Sequence, residues 1–143
     1  MNPYRDVREF HEATGLAVAD EPVLEADAAL LRLRMELHRE EAGELRDAFR
    51  RYEGYYSNAD TLEADRRQAI VEMADAICDL IYVLAGTAVS FGIPLEDCWQ
   101  AVQESNMSKI PEDGVVVRRE DGKILKPDTF IPVDLEQVIF GDR

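Results

Sequence analysis

The chain of 143 residues is predicted to be all-α: an antiparallel four-helix bundle with a short C-terminal hairpin or tail, completed by oligomerisation. Three observations predict this. Two long stretches, about 25–52 and 61–91, carry apolar residues at helical spacing. Starts and stops are punctuated by Asn2-Pro3, Thr14-Gly15, Gly92 and Pro94. Composition shifts towards turn and strand signals only from Pro111. We therefore expect one domain over 1–143, with a bundle core at about 25–109 and a tail at 110–143.

Asn2 is suited to cap a first helix at about 3–13, with Pro3 at the first helical position and Gly15 as the stop. Tyr4, Val7, Phe10 and His11 lie on its inner side. Leu16 to Leu24, holding Pro22, is a connection. A second helix over about 25–52 ends near Gly54, and Ser57-Asn58-Ala59-Asp60 is a loop with a candidate cap. Tyr52, Tyr55 and Tyr56 either pack a helix corner, the commoner role, or line a pocket for a flat base. The third helix, about 61–91, stops at Gly92, and Ile77 to Phe91 is apolar nearly all round. A helix apolar on every side asks to be buried on every side, which points to a subunit interface. A fourth helix starts near Pro94 and carries Leu95, Cys98, Trp99, Val102 and Met107. In the tail, Val115-Val116-Val117 and Lys123-Ile124-Leu125 flank an Asp121-Gly122 hairpin turn, and Asp134 to Phe140 is a last short segment.

A formal net charge of −14 argues against nucleic acid or an anionic membrane as partner, since both need a basic footprint. No apolar run has transmembrane length and no signal segment opens the chain, so a cytoplasmic location is expected. Cys78 and Cys98 match no metal spacing and read as core thiols. His11 and His38 read as ordinary polar or half-buried residues, and neither forms the Glu-x-x-His pair of di-iron bundles.

The acidic residues of the long helices carry the chemistry. With Glu40 at zero on a helical wheel, Leu30, Leu33, Leu37, Leu45 and Ala48 span roughly 20° to 140°. Glu41 and Glu44 fall inside that stripe, with Glu40 at its edge. On the third helix Glu72, Asp75 and Asp79 share a face bordering Ala69, Met73, Ala76 and Leu80. Carboxylates drawn into an apolar stripe must be protonated, hydrogen-bonded or cation-bound. With no matching stripe of Lys or Arg, a hard divalent ion, Mg²⁺ or Mn²⁺, is the preferred partner. A solvated glutamate face is the plain alternative for the EExxE spacing taken alone.

Glu40-Glu41-x-x-Glu44 followed by Glu72-x-x-Asp75 resembles the EExxE…ExxD signature of the MazG-like all-α nucleoside triphosphate pyrophosphohydrolases. That superfamily includes dimeric dUTPases and phosphoribosyl-ATP pyrophosphohydrolases. Glu104-Ser105-Asn106-Met107-Ser108-Lys109 is similar to its fourth-helix element, and Asp121 to Pro127 to a segment found in its members. The resemblance implies Mg²⁺-dependent cleavage of an NTP or dNTP between the α and β phosphates, with dUTP the first choice. It implies Glu41, Glu44, Glu72 and Asp75 as metal ligands, and Glu40 at the rim orienting or deprotonating the attacking water. Asn106 and Lys109 would face the nucleotide, Lys123 and Lys126 would be further phosphate contacts, and Asp79 would be an extra ligand, a supporting group or a sugar contact. The homo-oligomer expected from the third helix would be a dimer or tetramer. The competing reading is a non-catalytic helical oligomerisation or interaction protein whose carboxylates are structural. A metal-storage or redox bundle is disfavoured by the missing histidines.

Overall fold

The computed structural model describes residues 2–58, 60 and 62–141. The fold is all-helical, as expected: α1 (Pro3–Thr14), α2 (Ala28–Ser57), α3 (Glu63–Phe91), α4 (Leu95–Met107) and the short α5 (Leu135–Phe140). It divides into two compact units, Met1–Gly92 and Ile93–Arg143. Among the described residues no helix is long and apolar enough on its own to cross a membrane.

In the first unit α3 packs against both α1 and α2. The Asn2 side chain accepts from the Arg5 amide at 3.2 Å, Pro3 occupies the first turn, and Gly15 closes α1 in the left-handed region at φ 72°. Asp27 caps α2 by accepting from the Ala29 amide at 3.2 Å. Gly54 does not end α2. The helix passes through it to Ser57, so all three tyrosines belong to its last two turns. A helical glycine costs only about 1 kcal/mol, which a long packed helix absorbs. Of the expected loop, Ala59 lies outside the described residues, as does Thr61 at the expected start of α3.

The connection from Gly15 to Asp27 is laced onto the end of α3 by backbone bonds from Ala19 to the Val89 carbonyl and from Val23 to the Phe91 carbonyl, both 3.0 Å. There Gly92 ends α3 at φ 63°, and a Cβ on it would collide with the Glu21 backbone. Both the dihedral and the space require glycine.

The core of this unit is built from small residues. Ala48, Ala69, Ala76, Ala85, Ala88 and Val89 are buried. The wheel is corrected at Leu33, which is 49% exposed, while Arg34 beside it is buried at 6%. The Arg34 guanidinium enters the seam and donates to the Val83 carbonyl at 2.6 Å and the Thr87 hydroxyl at 3.1 Å, both on α3. It fits because Gly86 has no side chain: a Cβ there would lie 2.5 Å from Arg34 Nη2 and 2.9 Å from His11 Nε2. Cys78 is exposed, against expectation, and Cys98 is buried; neither is in a disulfide. Cys78 faces outward because only Ala76 and its neighbours one turn apart meet the seam. Ile77, Ile81, Tyr82 and Leu84 on α3 also remain exposed on the single chain.

In the second unit α4 packs with α5. Ser108 Oγ donates to the Ser105 carbonyl at 2.8 Å and accepts from the Ile131 amide at 2.9 Å, tying the tail to the end of α4. The expected hairpin is present as one isolated antiparallel bridge, Arg118 with Ile124, around the Asp121-Gly122 turn. Asp134 caps α5 through the Gln137 amide at 3.0 Å.

Replacing Gly86 by Ala must push back two side chains that are themselves hydrogen-bonded. We expect a loss of about 1–3 kcal/mol in unfolding free energy, read from urea denaturation, with helicity retained.

Candidate active site

The α2–α3 seam runs antiparallel: Arg34, early in α2, meets Val83 and Thr87 late in α3, and Arg51, late in α2, meets Glu72 early in α3. Between these two clasps lie the acidic residues. Glu41 and Glu72 are half-buried, whereas Glu40, Glu44, Asp75 and Asp79 are exposed. The expectation that two carboxylates are drawn inside the seam therefore holds for Glu41 and not for Glu44.

The Glu41 carboxyl is held above its ordinary pKa, first by burial and then by the charges of Glu44, Asp79 and Glu40. The structure thus gathers Glu40, Glu41 and Glu44 of α2 with Asp79 of α3. Glu72 is engaged elsewhere. It accepts from Arg51 Nε at 2.7 Å and from the Gln68 amide at 3.4 Å, and it stands seven residues, roughly 10 Å of helix rise, from Asp79. The expected absence of an Arg near the acidic faces is corrected by this pair. Asp75 lies one turn from Asp79, exposed.

The donor set is oxygen-only and anionic, which in kind fits a hard divalent cation. It does not converge: among the described residues no group of three or more His, Cys, Asp or Glu side chains is placed to hold a metal ion.

Beside the carboxylates on α2, His38 is half-buried and its Nε2 lies 2.7 Å from the Thr87 hydroxyl, which itself lies 3.1 Å from the Val83 carbonyl. His11 is buried and donates from Nδ1 to the Ala17 carbonyl at 2.9 Å. Both histidines are satisfied by neutral partners. Arg34, which wheel reasoning passed over, shares one face with His38 and Glu41 at i, i+4 and i+7, and that spacing was the available signal.

Two concave surfaces flank this stretch. A groove of about 550 Å³ runs past Leu45, Phe49, Tyr52 and Leu80. A pocket of about 370 Å³ lies between the end of α2 and the start of α3, lined by Tyr52, Tyr55, Tyr56, Glu63, Arg66 and Arg67.

In the second unit the Lys109 ammonium donates to Asn106 Oδ1 at 2.6 Å. It also lies 6.0 Å from the centroid of the Phe130 ring, and Lys126 sits over the same ring at 4.3 Å. Three of the residues expected to face the nucleotide, Asn106, Lys109 and Lys126, are therefore grouped there. Lys123 is exposed in the hairpin turn, where its backbone amide donates to Asp121 Oδ1 at 3.1 Å.

Because the Glu41 pKa is raised in the fold, its contribution to stability is greatest at low pH. It is lost as pH rises from the ordinary glutamate value through the raised one. Glu41→Gln removes that loss. In metal-free buffer the variant should melt higher than wild type at pH 7, and the difference should shrink on acidification; thermal denaturation across that range checks it.

Comparison with the curated proteins finds no match. A family model, that of phosphoribosyl-ATP pyrophosphohydrolase, matches residues 7–106, which takes in most of α1, all of α2 and α3 and nearly all of α4, with Glu40, Glu41, Glu44, Glu72, Asp75 and Asp79. The chain belongs to the phosphoribosyl-ATP pyrophosphohydrolase family, within the MazG-like nucleoside triphosphate pyrophosphohydrolase superfamily.

Proposed function

We propose that this nucleotide pyrophosphohydrolase is Mg²⁺-dependent, with Mn²⁺ as a substitute, and cleaves dUTP between its α and β phosphates to dUMP and pyrophosphate in the cytoplasmic nucleotide pool. The observation that carries the reading is Glu41, a half-buried carboxyl surrounded by three other carboxylates, on a family-matched helix. Such a group is unfavourably charged until a cation joins it. Glu41, Glu44, Glu72 and Asp75 would hold the ion, with Asp79 beside them, and Glu72 joins that set only by giving up Arg51. The bound ion would neutralise charge developing on the phosphates and lower the pKa of a bound water. Glu40, exposed at the rim, orients the attacking water or takes its proton; Glu41 is the other candidate for that proton. Asn106, Lys109, Lys123 and Lys126 bind phosphate oxygens as donors.

The family description favours a second substrate, phosphoribosyl-ATP, in which the bond cut is of the same kind. The exposed Ile77, Ile81, Tyr82 and Leu84 of α3 support assembly into a homo-oligomer, since that much apolar surface on one helix is costly in water. A non-catalytic interaction protein with the same α3 surface would need no ion at Glu41.

Pyrophosphate release from a panel containing dUTP, other NTPs and dNTPs and phosphoribosyl-ATP, with Mg²⁺, Mn²⁺ or EDTA, tests the reaction and its substrate together. We expect release with either metal and none with EDTA. Glu41→Gln should lower kcat/KM on the order of a hundredfold or more while the helices stay folded. Unchanged release from the variant would remove Glu41 from the site, and no release from wild type would leave the interaction reading. Sedimentation at micromolar concentration should show a dimer or tetramer, and a strict monomer would refute the assembly.

A further inference from the structure

We propose that Thr87 is a positioning residue of the carboxylate site: its hydroxyl, gripped from α2 by Arg34 and His38, sets the level along α3 at which Asp79 stands opposite Glu41. This rests on the pyrophosphohydrolase reading and adds to it a residue that touches neither ion nor nucleotide.

The two helices present matching series. On α2, Arg34, His38 and Glu41 follow one another at i, i+4 and i+7; on α3, Asp79, Val83 and Thr87 follow at i, i+4 and i+8. Because the helices run antiparallel, Thr87 meets the start of the first series and Asp79 its end. The Thr87 hydroxyl accepts from Arg34 Nε at 3.1 Å and lies 2.7 Å from His38 Nε2, so one oxygen engages two successive turns of α2. Arg34 Nη2 adds a 2.6 Å bond to the Val83 carbonyl, one turn nearer Asp79. At the far end of the series, Asp79 contributes to the negative charge that Glu41 meets.

The rest of the seam sets this level less firmly. The buried Ala48, Ala69 and Ala76 let the helices approach without selecting one level. The Arg51 and Glu72 side chains are 49% and 34% exposed, and an ion pair so open to solvent contributes little. That pair must also part if Glu72 turns to an ion, which leaves the Thr87 clasp to hold the helices. The tolerance is small. A slide of one residue carries a carboxylate about 1.5 Å along the partner helix. Mg²⁺ keeps its oxygen ligands at about 2.0–2.1 Å in near-ideal geometry. A misplacement of this size is enough to weaken the ion and slow the reaction together.

The test compares the full chain as wild type, Thr87→Val, which keeps the shape and removes the hydroxyl, and Thr87→Ser, which restores it. Mn²⁺ binding is titrated by calorimetry without nucleotide. Pyrophosphate release from dUTP and phosphoribosyl-ATP is followed at saturating Mn²⁺, at a temperature where circular dichroism shows each variant folded. Thr87→Val should bind Mn²⁺ about tenfold more weakly and lower kcat about tenfold, with KM within about twofold. Thr87→Ser should return both to within about threefold of wild type. Should Thr87→Val fail to fold, His38→Leu removes one bond at a half-buried position and should weaken Mn²⁺ in the same direction; unchanged affinity there overturns the proposal. A folded Thr87→Val that melts lower but keeps wild-type Mn²⁺ affinity and kcat overturns it and leaves the reaction standing, as does a Thr87→Ser that rescues neither. Wild type that binds Mn²⁺ and releases no pyrophosphate overturns the reaction alone, and wild type that binds no Mn²⁺ overturns the metal site and the role of Thr87 together.

Discussion

A single buried guanidinium holds the two long helices of this protein in register. Arg34 crosses from α2 to grip a backbone carbonyl and a hydroxyl of α3, and burial lowers its pKa, with no carboxylate bonded to it among the described residues. Burying an arginine this way is tolerable only when its donors are satisfied and the space is cut to fit. Gly86 supplies the space, and Val83 and Thr87 supply the acceptors. With Arg51 and Glu72 as a second clasp nearer the far end, the helices are located along each other by polar contacts at two levels, His38 sharing the first with Arg34. The alanines between allow close approach without dictating register.

That register decides which acidic groups meet. It sets Asp79 against Glu41, and leaves Glu72 with Arg51. The clustered negative charge is a local defect in stability, and it sits on the two helices that contribute most to the fold. Proteins commonly concentrate such defects where they act. The same helices carry the charge cluster at their middle and the tyrosine-arginine pocket at one end, so a single rigid hairpin spaces the two.

Much of this was legible in the sequence because helix ends and periodicity are local. Asn2-Pro3, Gly15 and Gly92 act within one turn, and each marks its boundary to within a residue or so. Gly54 misled because its cost is local while the packing that carries α2 past it comes from α3. Leu33 misled for a related reason. A wheel assumes that the apolar residue turns inward, whereas the neighbouring turn of α3 offers a carbonyl, a hydroxyl and a missing side chain, a setting that suits arginine and not leucine. The acidic positions were found by spacing on each helix separately. Their pairing was not, because whether Glu72 faces Glu44 or Arg51 depends on how far one helix slides past the other. Nothing within either helix encodes that distance.

The clasp at Thr87 also couples two protons. A threonine hydroxyl has one hydrogen, which goes either to the Val83 carbonyl or to His38 Nε2. In the first arrangement neutral His38 donates from Nε2 and Nδ1 keeps an unshared electron pair; in the second the ring hydrogen is on Nδ1. One turn before Glu41, the helix carries a ring whose tautomer is tied to a hydroxyl on the opposite helix.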